Sequence, residues 1–426
     1  MTSGDDEQYN GAAARLSEYV AERELLLAHL PAKADRSANE ATEAERIRRE
    51  CQDARAAFLA AHAPELYRRL TDDLRRPLRV DELAEAAAEL LPGLVPTPKQ
   101  LAEERAVIQA NKEGREVELG MLFAAILRLH TEGTHLIESM LQPTRAAIDA
   151  LPGFRRTGVA DFGTVLVERK GDAAWLTLRN LPYLNAEDDD AVAALEAGVD
   201  LVLLDEDVKV GVLRGDVMHH ARYAGRRIFS AGINLTRLRD GQISLVDFML
   251  RRELGYINKI LRGAKPWLAL VEGFAIGGGA QQLLVFDRVI AARDAYFSLP
   301  ALTEGIIPGL ANLRLSRFVG ARAARRMIMW DAKISAEDPE AAMLCDEAVD
   351  PDQIEAAADR AVERLANPAV IANRRMLTLA EEPLDAYRRY IAEYAIEQAQ
   401  LLYSENLRIS LERTWTNRAA SKKNRT

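Results

Sequence analysis

The sequence predicts an α/β core with helical segments before and after it. The first third is rich in Ala, Leu, Glu and Arg with helical periodicity. The middle alternates short apolar runs with helical patterns, and the tail returns to helical periodicity. Strands that alternate with helices usually form a largely parallel sheet. We therefore expect a helical N-terminal domain at residues 1–157, an α/β core at 158–345 and a C-terminal helical region at 346–426.

The N-terminal region is predicted to be entirely helical. Its apolar residues recur with helical spacing at residues 18–28, 43–61, 64–75, 80–91 and 109–138. A stretch rich in Pro and Gly at residues 92–98 interrupts this pattern. The apolar stripes do not keep a strict heptad, so we favour a cap over another part of the protein rather than a coiled oligomerisation module.

The predicted core begins with two strands joined by a Lys-Gly-Asp turn within residues 164–178. A helix is expected at residues 190–202, and further strands at 208–214, 267–271, 288–292 and 296–299. The tail is predicted to be helical at residues 351–365, 369–380 and 383–403.

Composition narrows the setting in which the protein works. The chain has 426 residues, with 56 basic against 65 acidic side chains and a net charge of −9. Because the two signs are interspersed, we expect no nucleic-acid surface, although a local basic patch for a charged cofactor stays open. No run is long enough for a membrane span, and the polar start is unlike a signal peptide. Cys51 and Cys345 are expected to be free thiols of a cytoplasmic protein, with a disulfide as the alternative.

A run of glycines marks the first candidate site. Residues 273–279 read Gly-Phe-Ala-Ile-Gly-Gly-Gly and lie between a predicted strand and a predicted helix. Without Cβ atoms, the backbone can approach a ligand closely, and the first N–H groups of a helix have no internal acceptor. Such a turn suits developing negative charge, whether on a phosphate or on a thioester enolate.

Two more motifs decide between these ligands. Residues 229–235 read Phe-Ser-Ala-Gly-Ile-Asn-Leu, and residues 304–309 read Glu-Gly-Ile-Ile-Pro-Gly. With the glycine run, in this order, the chain resembles the crotonase (enoyl-CoA hydratase/isomerase) superfamily. The resemblance implies a crotonase-type core of repeated ββα units in a spiral. It also implies that the backbone N–H groups of Ile233 and Gly278 hold the thioester oxygen of an acyl-CoA. Loss of one such donor raises a reaction barrier by about 3–4 kcal/mol.

The sequence departs from the hydratases of that superfamily at both acid/base positions. Where they carry glutamates, this chain has Gln281 and Ala301. Neither side chain exchanges a proton at neutral pH, whereas hydration of an enoyl thioester requires acid/base catalysis on water. Ordinary hydratase activity is therefore not expected.

This combination is similar to one branch of the superfamily, the cofactor-independent dioxygenases that act on 3,5-dihydroxyphenylacetyl-CoA in the dihydroxyphenylglycine pathway of glycopeptide antibiotics. The resemblance implies removal of a benzylic proton, reaction of the carbanion with O2, and release of CoA with the arylglyoxylate. No metal, flavin or other cofactor is expected. The chain lacks an insertion that the branch carries before the third strand, since residues 261–267 cross directly.

The same resemblance assigns side chains to substrate and oxygen. Ring hydroxyls would be bound by Glu187, Arg252 and Gln281, and the apolar O2 pocket would be lined by Leu235, Ala301 and Ile306. From the residues alone, the acidic run around Glu187 is typical of a helix cap, and the run around Arg252 is typical of a solvated helix face.

Several alternatives stay open at this point. Adjacent His219 and His220, with Asp216 nearby, suggest a metal site only weakly, because neighbouring side chains point in different directions. The general base is not identified and could be a side chain, a water or a reaction intermediate. The same oxyanion hole would also serve an isomerase, a thioester hydrolase or a non-catalytic CoA-binding scaffold. By resemblance, we expect a homotrimer or homohexamer.

Overall fold

The computed structural model describes residues 3–423. The α-helices, in chain order, are α1 (Ser3–Ala28), α2 (Ala38–Leu70), α3 (Val80–Leu90), α4 (Pro98–Arg105), α5 (Glu116–Arg128), α6 (His130–Met140), α7 (Arg145–Thr157), α8 (Asp189–Leu204), α9 (Leu235–Arg239), α10 (Asn258–Arg262), α11 (Gly278–Gln282), α12 (Ala301–Glu304), α13 (Ala311–Met329), α14 (Ile354–Leu365), α15 (Pro368–Glu381), α16 (Leu384–Leu402) and α17 (Glu405–Lys423). The strands are β1 (Val159–Asp161), β2 (Val165–Lys170), β3 (Ala173–Leu178), β4 (Val210–Gly215), β5 (Trp267–Val271), β6 (Phe274–Ile276), β7 (Arg288–Ala292), β8 (Tyr296–Ser298), β9 (Lys333–Ser335) and β10 (Glu347–Val349).

The chain forms two compact units built from interleaved segments. The first unit combines the residues up to Met140 with Leu238–Val246 and Asp385–Glu412. The second unit contains Leu141–Arg237 and Asp247–Leu384. The sequence-based boundaries at 157/158 and 345/346 divide the chain into three successive segments, which is a different kind of division. These boundaries therefore stay predictions.

Within the first unit, two predicted helix boundaries were wrong. The stretches 43–61 and 64–75 belong largely to one helix, α2, which continues through Pro64. Leu66 and Tyr67 beyond this proline are fully buried, so packing outweighs the hydrogen bond that proline removes. The stretch 109–138 is instead divided, because Leu129 is extended and ends α5. A Cβ on Gly133 would lie 2.8 Å from the Leu127 carbonyl oxygen, so only glycine permits the close return into α6.

The second unit contains two sheets. The larger has the strand order β1-β2-β3-β4-β5-β7-β10, in which β1, β2 and β3 are antiparallel and the remaining pairs are parallel. A separate three-stranded sheet has the order β6-β8-β9. The α/β class with a largely parallel sheet is confirmed. Four short strands, β1, β6, β9 and β10, were not predicted from sequence.

The described residues also bear on the membrane span and the disulfide considered from the sequence. None of their helices is both long and apolar enough to cross a membrane. Cys51 and Cys345 are free and buried, so the alternative of a disulfide between them is excluded.

Candidate active site

Two glycine turns of the second unit are fastened to each other by backbone hydrogen bonds. The Ser230 N–H donates to the Phe274 carbonyl oxygen at 3.1 Å, and the Ile276 N–H donates to the Ser230 carbonyl oxygen at 3.0 Å. Gly232 has a φ of +83°, and a Cβ there would lie 2.8 Å from the Ile276 carbonyl oxygen. Only glycine allows this combination of backbone angle and close approach. The two turns are therefore held in a fixed relation.

Each turn leaves one N–H group without an acceptor. The Glu187 N–H donates to the Gly232 carbonyl oxygen at 2.7 Å, and the Glu187 carbonyl oxygen accepts from the Asn234 N–H at 2.8 Å. Glu187 therefore bonds the residues on either side of Ile233 and leaves the Ile233 N–H unbonded. Gly278 is the first residue of α11, where N–H groups have no partner within the helix. In the described part of the chain, neither N–H donates a hydrogen bond. Two free donors on adjoining turns suit an enolate oxygen.

The three residues predicted to bind ring hydroxyls lie together in the interior. Glu187, Arg252 and Gln281 are 2%, 3% and 2% exposed. Arg252 forms an ion pair with Glu187 and donates to the Gln281 Oε1 at 2.5 Å. Its Nη2 also donates to the Gly278 carbonyl oxygen at 2.7 Å, which ties this cluster to the second glycine turn. The sequence-based grouping is therefore reproduced in space, while the ligand it binds stays a prediction.

The positions of Glu187 and Arg252 exclude the alternatives of a helix cap and a solvated helix face. Glu187 is not the helix cap, because the neighbouring Asp188 accepts the capping hydrogen bond from the Ala191 N–H. Arg252 does not lie on a solvated helix face, since its guanidinium is enclosed by carboxylate and carbonyl groups.

Three residues that sequence reasoning missed complete the cluster. Glu253 accepts from Arg252 Nη1 at 2.8 Å and from Gln281 Nε2 at 2.6 Å. Tyr256 donates its hydroxyl to Glu187 Oε2 at 3.0 Å, and Gln282 donates to Glu187 Oε1 at 3.2 Å. Their only sequence signal is adjacency to residues already chosen, at one and four positions past Arg252 and one past Gln281.

A local change in helix type explains why they were missed. The segment Glu253–Ile257 is π-helical and contains Gly255 with non-helical angles of φ −89° and ψ −110°. A Cβ on Gly255 would lie 2.7 Å from Glu196 Oε1, so the irregular turn depends on glycine. In a π-helical segment, the residues that face inward no longer follow the ordinary helical spacing. Arg252 and Glu253 consequently both reach the same cluster.

The cluster holds one guanidinium and two carboxylates. Burial lowers the pKa of Arg252, but Glu187 first and then Tyr256 and Glu253 outweigh it, and the pKa lies well above its usual range. Burial raises the pKa of Tyr256 well above its ordinary value, so its hydroxyl stays neutral. One guanidinium thus stands between two carboxylates. Such an arrangement supplies several acceptors for hydroxyl donors of a ligand.

The residues predicted for the oxygen pocket come from separate segments. Leu235 begins α9 two residues after Ile233 and is partly buried, and Ala301 begins α12 and is 8% exposed. Ile306 follows the Gly305 turn and is partly buried. The structure places Leu235 and Ala301 at the starts of helices, and a shared oxygen pocket stays a prediction.

The histidines considered as metal ligands lie elsewhere. His219 and His220 are exposed in the loop after β4, and His220 packs against the Tyr223 ring at a centroid distance of 5.7 Å. Among the described residues, no three His, Cys, Asp or Glu side chains cluster as a metal site. The weak metal alternative finds no support from these residues.

Comparison with known proteins gives relatives over most of the chain. Residues 178–405 match the enoyl-CoA hydratase/isomerase family. The chain is 51% identical over 408 residues to (3,5-dihydroxyphenyl)acetyl-CoA 1,2-dioxygenase of Amycolatopsis orientalis, with 93% of each protein covered. It is 33% identical over 232 residues to a probable enoyl-CoA hydratase of Rhizobium meliloti, covering 52% of this chain and 85% of that protein.

Solved structures give the same fold. An enoyl-CoA hydratase from Bacillus halodurans superposes with a TM-score of 0.51 at 22% identity, covering 59% of this chain and 99% of that one. The structure of Pseudomonas aeruginosa OdaA gives a TM-score of 0.52 at 25% identity, covering 59% and 98%. The predicted crotonase-type core is therefore confirmed, and the helical segments account for most of the remainder.

Proposed function

This chain belongs to the enoyl-CoA hydratase/isomerase family, and we propose that it is a cofactor-independent dioxygenase. It converts 3,5-dihydroxyphenylacetyl-CoA and O2 to 3,5-dihydroxyphenylglyoxylate and free CoA. The observation that carries the proposal is the site itself, which combines two free N–H donors with Gln281 and Ala301 at the positions of the hydratase glutamates. The extended identity to the dioxygenase of Amycolatopsis orientalis supports the substrate and its place in antibiotic biosynthesis.

The reaction begins with loss of a benzylic proton. The electron pair of that C–H bond forms the enolate, whose negative oxygen accepts hydrogen bonds from Ile233 and Gly278. Electron density spread between the thioester and the dihydroxyphenyl ring makes this enolate a reductant for O2. A C–O bond then forms at the benzylic carbon, and the resulting peroxide attacks the thioester carbon and expels CoA thiolate, which closes a four-membered peroxy lactone. Loss of the second benzylic proton from this lactone turns its C–H electron pair into the ketone C=O bond and breaks the O–O bond. The released oxygen becomes a carboxylate oxygen of the arylglyoxylate, and the thiolate takes up a proton. Both oxygen atoms of O2 enter the arylglyoxylate, so the equation balances without an external reductant.

The polar cluster orients the ring. Glu187, Arg252 and Gln281 bind the two ring hydroxyls in this proposal. Arg252 donates to Gln281 at 2.5 Å and to Glu187 at 3.3 Å, and these hydrogen bonds hold the three side chains in place beforehand. Preorganised polar groups favour one ring position over others because no side chain needs to reorient. Leu235, Ala301 and Ile306 line the apolar side, where O2 meets the enolate and water is kept away.

The absence of a metal, flavin or other redox group from the reaction is part of the proposal. Enolate formation needs proton removal and stabilisation of the oxyanion, and the substrate itself supplies the electrons for O2. Buried, unoxidised Cys51 and Cys345 are compatible with a cytoplasmic enzyme that uses cellular CoA thioesters.

We also propose that the enzyme is a homotrimer or homohexamer. On α15, Met376, Leu377 and Leu379 are 63%, 58% and 62% exposed, and Trp330 after α13 is 76% exposed. Exposed apolar side chains that lie together, as on α15, are typical of surfaces that contact another protein. Light scattering of the purified protein distinguishes these oligomers from a monomer.

An oxygen-electrode assay tests the function. Chelator-treated protein receives 3,5-dihydroxyphenylacetyl-CoA, and O2 uptake and free thiol are followed together. Equal molar amounts of O2 consumed and CoA released are expected. Release of CoA without O2 uptake would instead identify a thioester hydrolase, and neither signal would leave a non-catalytic CoA-binding protein.

A further inference from the structure

The short helix α12 has one buried face, which carries Glu304 to the glycine turns. Ala301 and Glu304, its first and last residues, are three positions apart and therefore lie on the same side of the helix. Both are 8% exposed, whereas Leu302 between them is 62% exposed. Ala301 holds the position of a hydratase glutamate, and Glu304 returns a carboxylate to the same face one turn later.

The Glu304 carboxylate lies beside both glycine turns. A Cβ on Gly277 would be 3.5 Å from each of its carboxylate oxygens and 3.6 Å from the Gly232 Cα. Gly277 immediately precedes the donor Gly278, and Gly232 immediately precedes the donor Ile233. The Glu304 carboxylate and the Gly232 backbone are thus both within van der Waals reach of the same point beside Gly277.

No cation is paired with this carboxylate in the part of the chain that the structure describes. Among the described residues, Glu304 has no side-chain hydrogen bond or ion pair. Burial raises its pKa to about 8, and the nearby negative charge of Asp331 adds to this effect. A carboxylate of raised pKa is a stronger base than an ordinary one, as removal of a proton from carbon requires.

We propose that Glu304 is the catalytic base that removes the benzylic proton of the arylacetyl-CoA. This inference rests on the proposed function. One Glu304 carboxylate oxygen takes the proton, the C–H electron pair becomes the enolate double bond, and the thioester π electrons move to the oxygen held by Ile233 and Gly278. Glu304 is then a neutral acid, which returns its proton to solvent before the next turnover.

Anaerobic exchange of the benzylic hydrogens isolates this step. Wild-type protein is mixed with 3,5-dihydroxyphenylacetyl-CoA in D2O without O2, and deuterium at the benzylic carbon is followed by mass spectrometry. A positioned base contributes about 10²–10⁴-fold, so Glu304→Gln should slow exchange at least about a hundredfold. Glu337→Gln, which alters an exposed glutamate of the same unit, is the matched control. Circular dichroism and Tm verify that each variant is folded.

The pH profile separates a base from a merely structural residue. Wild-type exchange should rise with pH and level off above about pH 8, where Glu304 is deprotonated. Asp331→Asn removes the neighbouring like charge and should move this rise to lower pH. Asp331 has a φ of +49°, a backbone angle that asparagine tolerates.

The outcomes distinguish this inference from the proposed function. If wild type consumes O2 and folded Glu304→Gln exchanges deuterium at the wild-type rate, Glu304 is not the base although the dioxygenase stands. If wild type exchanges deuterium but consumes no O2, the dioxygenase is refuted, while slow exchange by Glu304→Gln still supports the base. If wild type does neither, both proposals are overturned.

Discussion

Replacing Gly232 with alanine separates the geometry of the oxyanion turn from general backbone strain. Gly232 has a φ of +83° and lies against the Ile276 carbonyl oxygen of the other turn. Gly163 has a similar φ of +78°, but a Cβ there would meet no atom within 4 Å. The two alanine variants therefore share the penalty of a left-handed backbone and differ only in the close contact.

The structure sets the size of the two effects. Left-handed backbone disfavours alanine by roughly 1–2 kcal/mol, which both variants should lose in stability. In Gly232→Ala, the new Cβ would lie 2.8 Å from the Ile276 oxygen, well inside the 3.4–4 Å of ordinary contact. The first turn must then move, and the adjacent Ile233 N–H moves with it. Misplacement of one oxyanion donor lowers kcat by about 10²–10³-fold.

Oxygen uptake and thermal unfolding measure both effects. Gly163→Ala should lose stability with kcat within a few-fold of wild type, and Gly232→Ala should lose both stability and kcat. If Gly232→Ala were destabilised like Gly163→Ala but kept wild-type kcat, the N–H of Ile233 would not be an oxyanion donor.

Three other substitutions address separate parts of the site. Gln281→Glu places a carboxylate where the Gln281 Nε2 now donates to Glu253 at 2.6 Å. We expect the free energy of unfolding, measured by urea denaturation, to fall by about 3–5 kcal/mol and O2 uptake to be impaired. Unchanged O2 uptake would show that Gln281 does not contact the ring. Ala301→Phe fills the apolar side and should raise the KM for O2 by on the order of tenfold, which O2-dependent initial rates measure; an unaltered KM would place O2 elsewhere. Burial raises the pKa of Glu304 from 4.5 to about 8 in the folded protein. The contribution of this group to the free energy of unfolding is therefore highest below about pH 4.5, where the carboxyl group is protonated in both states, and falls as pH rises through about 8. The Tm of Glu304→Gln should therefore fall less than the Tm of wild type between these two pH values. If Tm fell equally with pH in both proteins, Glu304 would not be a buried carboxylate without a partner.

Much of the fold followed from local patterns in the sequence. The apolar runs of β4 and β5 are long enough to be recognised as strands, and the helices between them imply parallel pairing. The unpredicted strands β1, β6, β9 and β10 have only three residues each, which is too short for a recognisable periodicity. Pro64 signalled a helix end by its chemistry, yet tertiary burial on either side keeps α2 continuous.

In the candidate site too, some residues could be predicted from a local sequence pattern and others depend on the tertiary structure. Ile233 and Gly278 could be chosen because glycine turns have a recognisable pattern, and the structure leaves their N–H groups free. Glu253 and Tyr256 could not, because the π-helical turn at Gly255 changes which side chains face inward. Glu304 begins the motif at residues 304–309, but no role could be inferred for it from sequence because its contact with Gly277 exists only in the folded chain.

Isotope labelling in ¹⁸O2 tests the central claim most directly. Chelator-treated enzyme is given 3,5-dihydroxyphenylacetyl-CoA, and the acid released with CoA is analysed by mass spectrometry. A cofactor-independent dioxygenase puts two ¹⁸O atoms into 3,5-dihydroxyphenylglyoxylate. Unlabelled 3,5-dihydroxyphenylacetate as the released acid would contradict the account and show that the oxyanion hole serves hydrolysis.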